Sequence, residues 1–201
     1  MQRISFDCEG LVLEGLLNPN PSSNKGVVLA HPHPLYGGDM HNPVLASMAK
    51  AFEKKGYTTL RLNFRGVGNS QGDYDNGEGE QKDILAAVAH LTDLGMTRVD
   101  LAGYSFGAWV ISRLADLPPS VKQMILVAPP ITMMPFNPFP ALDRVKAMIT
   151  GSEDDIAPAA QLRKLLDDLK SGAKLEVIPG ADHFYAWHTD TLESRILSFL
   201  A

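Results

Sequence analysis

The stretch Val99-Asp100-Leu101-Ala102-Gly103-Tyr104-Ser105-Phe106-Gly107 decides the fold of this 201-residue chain. Its first part is a mostly apolar run with the length of a buried strand, and its second part has the spacing Gly-x-Ser-x-Gly. A sharp turn from strand to helix with this spacing leaves the serine exposed at the tip, in a strained backbone conformation. Glycine is needed at both flanking positions because side chains there would collide across the turn. The stretch therefore predicts that Ser105 is a nucleophile.

Short apolar runs separated by Gly, Pro and Asn alternate along the chain with segments of helical period. The predicted strands are residues 4–7, 11–17, 27–30, 58–64, 98–102, 123–128, 145–150 and 175–178. The predicted helices begin at residues 43, 80, 106, 158 and 190. Strand and helix alternate after an initial antiparallel hairpin, which is typical of an α/β fold. We expect a single domain over residues 1–201, with a mostly parallel, doubly wound sheet of about eight strands and helices on both faces.

Composition and charge limit the classes of partner. Hydrophobic residues make up 45% of the chain and charged residues 20%, as in ordinary globular proteins. The formal net charge of −5, without a basic cluster, argues against nucleic acid or an anionic membrane as the main partner. The single cysteine, Cys8, excludes an intramolecular disulfide bond and favours a reducing compartment. No apolar run approaches the ~18–20 residues that span a bilayer, and no signal-like segment is visible, so we expect a cytoplasmic protein.

A nucleophilic serine needs a base, and the base needs an orienting carboxylate. After an elbow of this kind the carboxylate and the histidine follow in that order, on loops after later strands. The strand at 145–150 is followed by Gly151-Ser152-Glu153-Asp154, and the strand at 175–178 by Gly180-Ala181-Asp182-His183. We therefore predict that His183 is the general base and that Asp154 orients it. Asp155, which could cap the next helix, and Asp182, beside the histidine, remain as alternatives for the carboxylate.

Four segments together resemble the signatures of the α/β-hydrolase superfamily. They are Gly103-Tyr104-Ser105-Phe106-Gly107, Gly151-x-x-Asp154-x-Ile156-x-Pro158, Gly180-Ala181-Asp182-His183 and Leu62-Asn63-Phe64-Arg65-Gly66-Val67-Gly68-Asn69-Ser70-Gln71-Gly72. The segment His31-Pro32-His33-Pro34-Leu35-Tyr36-Gly37-Gly38 is similar to a small, capless, bacterial-type branch of predicted hydrolases. The resemblance implies hydrolysis of an ester or a related acyl bond through an acyl-enzyme, without a cofactor. It does not imply a particular substrate.

The resemblance also implies an oxyanion hole built from backbone N–H groups. One donor is the N–H of Phe106, directly after the nucleophile. The second comes from the loop after the strand at 27–30, where many relatives have His-Gly and this chain has His31-Pro32-His33-Pro34. Proline has no N–H to donate. We therefore expect His33 to be the second donor, with Tyr36 as the alternative.

The run Met133-Met134-Pro135-Phe136-Asn137-Pro138-Phe139 interrupts the alternation of strands and helices. Only about 15 residues separate Pro129 from the strand at 145, which is too few for a lid of several helices. We expect an open site for a small acyl substrate, with Tyr36, Met134 and Phe136 as its apolar wall. Plain packing in the core is the alternative for this run.

Three other readings of the sequence remain open. A group of histidines could hold a metal ion, although no accompanying Cys or carboxylate spacing supports it and we expect no metal. Its members would be His31, His33, His41, His183 and His188. The chain could also be a binding protein on a hydrolase scaffold, although such a protein would not need Ser105, Asp154 and His183 together. With the same three residues, a thioesterase, an acyltransferase or a peptidase is an alternative to an esterase.

Overall fold

A computed structural model describes residues 1–136 and 139–200 of the chain. The strands in this part are β1 (Gln2–Cys8), β2 (Leu11–Asn18), β3 (Lys25–Ala30), β4 (Thr58–Leu62), β5 (Arg98–Tyr104), β6 (Val121–Val127), β7 (Val145–Gly151) and β8 (Lys174–Ile178). The helices are α1 (Pro43–Lys54), α2 (Glu78–Asp93), α3 (Phe106–Ser112), α4 (Ala159–Asp168) and α5 (Thr189–Phe199). Their order follows the alternation expected from the sequence.

The strands form one sheet in the order β1-β2-β4-β3-β5-β6-β7-β8. β2 is antiparallel to both of its neighbours, β1 and β4, and all the other neighbouring pairs are parallel. This eight-stranded, mostly parallel sheet confirms the predicted fold class. Because β4 and β5 flank β3 on opposite sides, the order of the strands reverses at β3. In open α/β sheets, ligands bind in the crevice at the carboxyl ends of the strands beside such a reversal.

The centre of the sheet is covered on both faces. In β3, the consecutive residues Val27, Val28 and Leu29 are all fully buried, although successive side chains point to opposite faces. Helix α1 packs against α5, and helix α2 packs against α3, while α1 and α2 both contact β3, β4 and β5. Two helical layers therefore enclose the strands, as a doubly wound sheet requires.

The start of α1 shows how local sequence fixes an element near the site. The Asn42 side-chain Oδ1 accepts hydrogen bonds from the N–H groups of Val44 and Leu45, at 2.9 and 3.3 Å. Pro43 occupies the first helical position, where no intrahelical N–H bond is lost. The helix therefore begins sharply, next to the carboxyl ends of β3 and β4.

The segment between β6 and β7 carries no lid of helices in its described residues, where a short 3₁₀ turn at Leu142–Arg144 is the only helical structure. None of the helices in residues 1–136 and 139–200 has both the length and the apolar character needed to cross a membrane.

Candidate active site

Ser105 lies at the turn between β5 and α3, with φ 52° and ψ −115°. A positive φ at a residue other than glycine is strained and persists only where the surrounding structure enforces it. Here the Ser105 N–H donates to the carbonyl of Val127 at 2.9 Å, which ties the turn to β6. The hydroxyl is held at the carboxyl edge of the sheet, in the predicted elbow.

The two glycines of the elbow are required by close backbone contacts. A Cβ atom at Gly103 would lie 2.5 Å from backbone atoms of Gly107 and Ala108. A Cβ atom at Gly107 would lie 2.3 Å from the carbonyl oxygen of Ala30 at the end of β3. Both distances are far below ordinary van der Waals contact, so larger residues would force the turn open.

The structure brings Ser105, His183 and Asp154 together, although they come from three separate loops. The Ser105 Oγ lies 3.0 Å from His183 Nε2, and His183 Nδ1 lies 2.9 and 3.0 Å from the two carboxylate oxygens of Asp154. Because the carboxylate can only accept, Nδ1 carries the proton and donates it to Asp154. His183 Nε2 is then free to accept the hydroxyl proton of Ser105. The two ionisable residues are both buried: His183 is 7% exposed and Asp154 is 3% exposed.

The Asp154 carboxylate is held by more than the histidine. Its Oδ1 accepts hydrogen bonds from the N–H groups of Ile156 and Ala157, at 2.9 and 2.7 Å. These bonds orient a buried charge that would otherwise be costly. At Gly151, where β7 ends, a Cβ atom would lie 2.0 Å from the carbonyl oxygen of Ala181. The loops that carry the carboxylate and the histidine are therefore in direct backbone contact.

The two alternative carboxylates lie elsewhere. Asp182 Oδ1 accepts from the N–H groups of Phe184 and Ala186, both at 3.1 Å, and so it caps its own loop. Asp155 is exposed to solvent. His183 Nδ1 bonds to Asp154, the residue favoured by the sequence pattern.

The loop after β3 carries the candidate oxyanion donors. The N–H groups of residues 35–38 all donate within the loop: Leu35 to the His33 ring, Tyr36 and Gly38 to the His33 carbonyl, and Gly37 to the Pro34 carbonyl. Within residues 33–38, His33 has a backbone N–H that bonds to no acceptor in the described parts of the chain. The ring of His33 packs on the ring of Phe106, with centroids 4.8 Å apart. His33 and Phe106 line the same cleft as Ser105, whereas the N–H of Tyr36 is already engaged.

The histidines of this loop are bound to other parts of the protein. His31 is fully buried, its Nε2 accepts from the N–H of Phe64 at 3.1 Å, and its Nδ1 lies 2.6 Å from the carbonyl of Pro32. Burial lowers the pKa of His31 to about 4 and also lowers the pKa of His33, so both rings are neutral at pH 7. Among the His, Cys, Asp and Glu side chains of residues 1–136 and 139–200, no three are placed to share a metal ion.

Ser105 and His183 open into a cleft of about 420 Å³, a size typical of small-molecule sites. Its wall is formed by Pro32, His33, Tyr36, Gly37, Gly38, Asn42, Tyr104, Phe106, Pro130, Met133, Met134, Ile156 and Phe184. Of the predicted wall residues, Tyr36 and Met134 are therefore at the cleft. No Lys, Arg, Asp or Glu is among these described lining residues, so the wall offers no ion-pair partner to a charged substrate.

Phe136 lies in the core rather than at the cleft. It is 4% exposed and packs against Phe139, with ring centroids 6.0 Å apart. The Trp109 Nε1–H donates to the carbonyl of Pro135 at 2.8 Å and holds this part of the loop over α3. The loop after β6 thus divides: Met133 and Met134 face the cleft and Phe136 packs inward. Asn137 and Pro138 of the same predicted run lie outside the described residues.

Two cleft residues were not singled out from the sequence. Tyr104 donates its hydroxyl to the backbone carbonyl of His183 at 2.9 Å. Burial first, and the charge of Asp154 second, raise the pKa of Tyr104, so the hydroxyl keeps its proton and remains a donor. Phe184 extends the wall directly after the histidine. Because Tyr104 precedes Ser105 in the elbow, the sequence could have indicated that it lies near the site. No pattern in the sequence indicates where the Phe184 ring lies.

Comparisons with known proteins agree with this architecture. The family model described as alpha/beta hydrolase fold matches residues 33–149, more than half of the chain. An uncharacterized protein of Rickettsia prowazekii is 34% identical over 211 residues, which span 100% of this chain and 89% of that protein. The chain belongs to the alpha/beta-hydrolase family.

Two solved structures from bacteria are similar over nearly the whole chain. An alpha-beta serine hydrolase homologue from Coxiella burnetii is 31% identical with a TM-score of 0.89, covering 100% of this chain and 97% of its own. An alpha/beta serine hydrolase without a lid from Xanthomonas campestris is 28% identical with a TM-score of 0.91. The match covers 99% of this chain and 93% of that protein's chain. The prediction of a capless alpha/beta hydrolase is confirmed, and these relatives support a hydrolase activity.

Proposed function

We propose that this protein is a serine hydrolase that cleaves a small, uncharged carboxylic ester through an acyl-enzyme intermediate. The observation that carries the proposal is the continuous hydrogen-bonded chain from Ser105 Oγ through the His183 ring to the Asp154 carboxylate. This arrangement has the geometry of nucleophile, base and orienting group that acyl transfer requires.

The chemistry follows from the protonation states of the three side chains. As the Ser105 Oγ attacks the ester carbonyl carbon, its proton moves to His183 Nε2. The buried Asp154 carboxylate stabilises the imidazolium that forms. Collapse of the tetrahedral intermediate breaks the bond to the leaving alcohol, whose oxygen takes the proton from Nε2. A water molecule then repeats the sequence on the acyl-enzyme, and Ser105 recovers its proton.

The negative charge on the former carbonyl oxygen needs donors that are already in place. We assign this role to the backbone N–H groups of Phe106 and His33. The N–H of Phe106 opens α3, where no intrahelical acceptor is available to it. The support for His33 is that its neighbours in the loop use their own N–H groups within the loop.

The wall of the cleft favours an uncharged substrate. Its lining includes Tyr36 and Asn42, which are polar but uncharged, and the apolar Met133 and Met134. Each buried methylene contributes about 0.8 kcal/mol, so a short wall favours only the first few carbons of an acyl chain. We therefore expect the rate on p-nitrophenyl esters to be highest with short acyl groups.

The test is covalent labelling by a fluorophosphonate probe, together with hydrolysis of p-nitrophenyl acetate. Wild type should be labelled at Ser105 and should turn over the ester, and Ser105→Ala should lose both properties while keeping its circular dichroism spectrum. Ser152→Ala is a matched control, because Ser152 lies near the same edge but donates no bond to His183. Undiminished turnover by Ser105→Ala would contradict the proposal. An unlabelled and inactive wild type would favour a binding protein on the hydrolase scaffold.

A further inference from the structure

Phe184 is an exposed aromatic residue at the mouth of the cleft. Its side chain is 69% exposed, and the residue lines the cleft directly after His183. The two rings meet edge to face, with centroids 5.6 Å apart and an angle of 86° between their planes. A phenylalanine this exposed contributes little burial to the core, and most of its ring surface is open to a molecule in the cleft.

The backbone on both sides of Phe184 is anchored. The Phe184 N–H donates to Asp182 Oδ1 at 3.1 Å, and the Ala186 N–H donates to the same oxygen. Between them, Tyr185 is fully buried and its hydroxyl donates to the carbonyl of Ile149 at 3.2 Å. With its neighbours fixed in this way, the Phe184 ring stands over the cleft as part of a preorganised loop.

The proposed reaction determines which part of a substrate would lie against this ring. The oxygen of the leaving alcohol must approach His183 Nε2 to within about 3 Å, since it takes the proton from that atom. The carbonyl oxygen points instead toward the N–H groups of His33 and Phe106. The substituent on the leaving oxygen therefore lies beside the residues that flank His183, and Phe184 is the apolar member of that flank.

We propose that Phe184 forms one wall of a subsite for the leaving alcohol, and that the enzyme prefers esters of uncharged, apolar alcohols, aromatic ones above all. The inference rests on the proposed serine-hydrolase function and adds to it the class of leaving group. An aromatic alcohol would stack on or meet the edge of the ring and would cover surface that solvent now reaches. The absence of charged side chains among the described lining residues fits the same class.

The experiment keeps the acyl group constant and changes the alcohol. Ethyl acetate and benzyl acetate release alcohols of similar acidity, so the ratio of their kcat/KM values measures recognition of the alcohol. Wild type should favour benzyl acetate. Phe184→Ala should lower the benzyl-to-ethyl ratio by roughly 5- to 20-fold, the loss expected for one aromatic contact and its buried area. Phe184→Tyr keeps the ring and should keep the ratio.

Trp187→Ala is the matched control. Trp187 lies on the same loop and is 100% exposed, but it is not among the cleft residues, so its removal should leave the ratio unchanged. An unchanged ratio in Phe184→Ala, or an equal loss in Trp187→Ala, would overturn the inference. So would a wild type that is labelled at Ser105 by the phosphonate probe but shows no preference for benzyl acetate. Failure of labelling itself would instead refute the proposed function.

Discussion

His31 and His183 lie at the same edge of the sheet, each in a loop after a parallel strand, and both are buried, at 0% and 7% exposure. Their partners differ completely. His31 bonds to two backbone groups, the N–H of Phe64 and the carbonyl of Pro32. His183 bonds to a carboxylate and a hydroxyl, from Asp154 and Ser105.

The difference shows that burial and position do not by themselves suit a histidine to proton transfer. A second proton on His31 would remove the acceptor of the Phe64 N–H, and burial opposes its charge more than the Asp39 carboxylate favours it. In the proposed reaction, the second proton on His183 comes from the Ser105 hydroxyl, and the ring lies 2.9 Å from the Asp154 carboxylate. His31 therefore fastens the loop that carries His33 to the start of the loop after β4, and His183 is the ring that we propose as the general base.

Replacement of the proposed base should have the largest effect. His183→Ala removes the proton acceptor, so kcat should fall by roughly 10⁵- to 10⁶-fold. The fold should survive because Tyr185 still anchors the loop. Hydrolysis of p-nitrophenyl acetate measures kcat, and urea unfolding measures the stability of the fold. Retention of about 1% of wild-type activity would show that another group takes the proton.

Replacement of the orienting carboxylate should cost less. Asp154→Asn offers an amide that can hold the wrong tautomer of His183, and kcat should fall by about 10⁴-fold. Asp182→Asn is the control, because an asparagine oxygen can still accept the N–H groups of Phe184 and Ala186. Measured with the same ester, an equal loss in the two variants would contradict the assignment of Asp154.

His31 should make the free energy of unfolding depend on pH. Its pKa is about 4 in the folded protein and near 6.5 when unfolded, so only the unfolded state binds the proton between these values. The stabilisation is fully present above about pH 6.5 and is lost as the pH falls toward 4, by on the order of 2 kcal/mol at pH 5. The free energies of unfolding of wild type and His31→Gln are measured with urea at pH 7 and at pH 5. The contribution of His31 is the loss between the two pH values in wild type minus the loss in the variant. An NMR titration of the His31 ring near its ordinary pKa would argue against it.

The smallest effect is expected at Tyr104, which positions His183 through one hydrogen bond to its carbonyl. Tyr104→Phe keeps the ring and removes that bond, at a cost of about 1 kcal/mol in the free energy of unfolding. We expect kcat to fall by roughly 3- to 10-fold with KM nearly unchanged, because the bond acts on the base and not on substrate. Steady-state kinetics decide the matter, and a change confined to KM would show that the hydroxyl contacts substrate instead.

Much of the architecture could be predicted because its signals are local. Asn42 followed by Pro43 marks the start of α1, and the spacing of glycines around Ser105 marks the elbow. The order of the motifs along the chain placed Asp154 and His183 on loops at one edge, since parallel strands end at a common edge. A single domain and a cytoplasmic location stay predictions.

Other features depend on contacts that are distant in sequence. Phe136 was expected at the cleft, but the bond from Trp109 to the preceding carbonyl and the packing with Phe139 place it in the core. Apolar character alone cannot tell a pocket wall from a packed core, because both favour the same residue types.

The sequence by itself determined the class of fold and the elbow, and it singled out Ser105, Asp154 and His183 as candidate catalytic residues, since periodicity, glycine geometry and motif order are properties of short segments. Only the tertiary structure decided which groups the nitrogens of the His31 and His183 rings bond to. It also decided which N–H group of the loop after β3 makes no hydrogen bond, and that Phe184 lies at the cleft. Hydrogen-bond partners and burial arise where separate segments meet. They are set by the packing of the whole chain, which no short segment encodes.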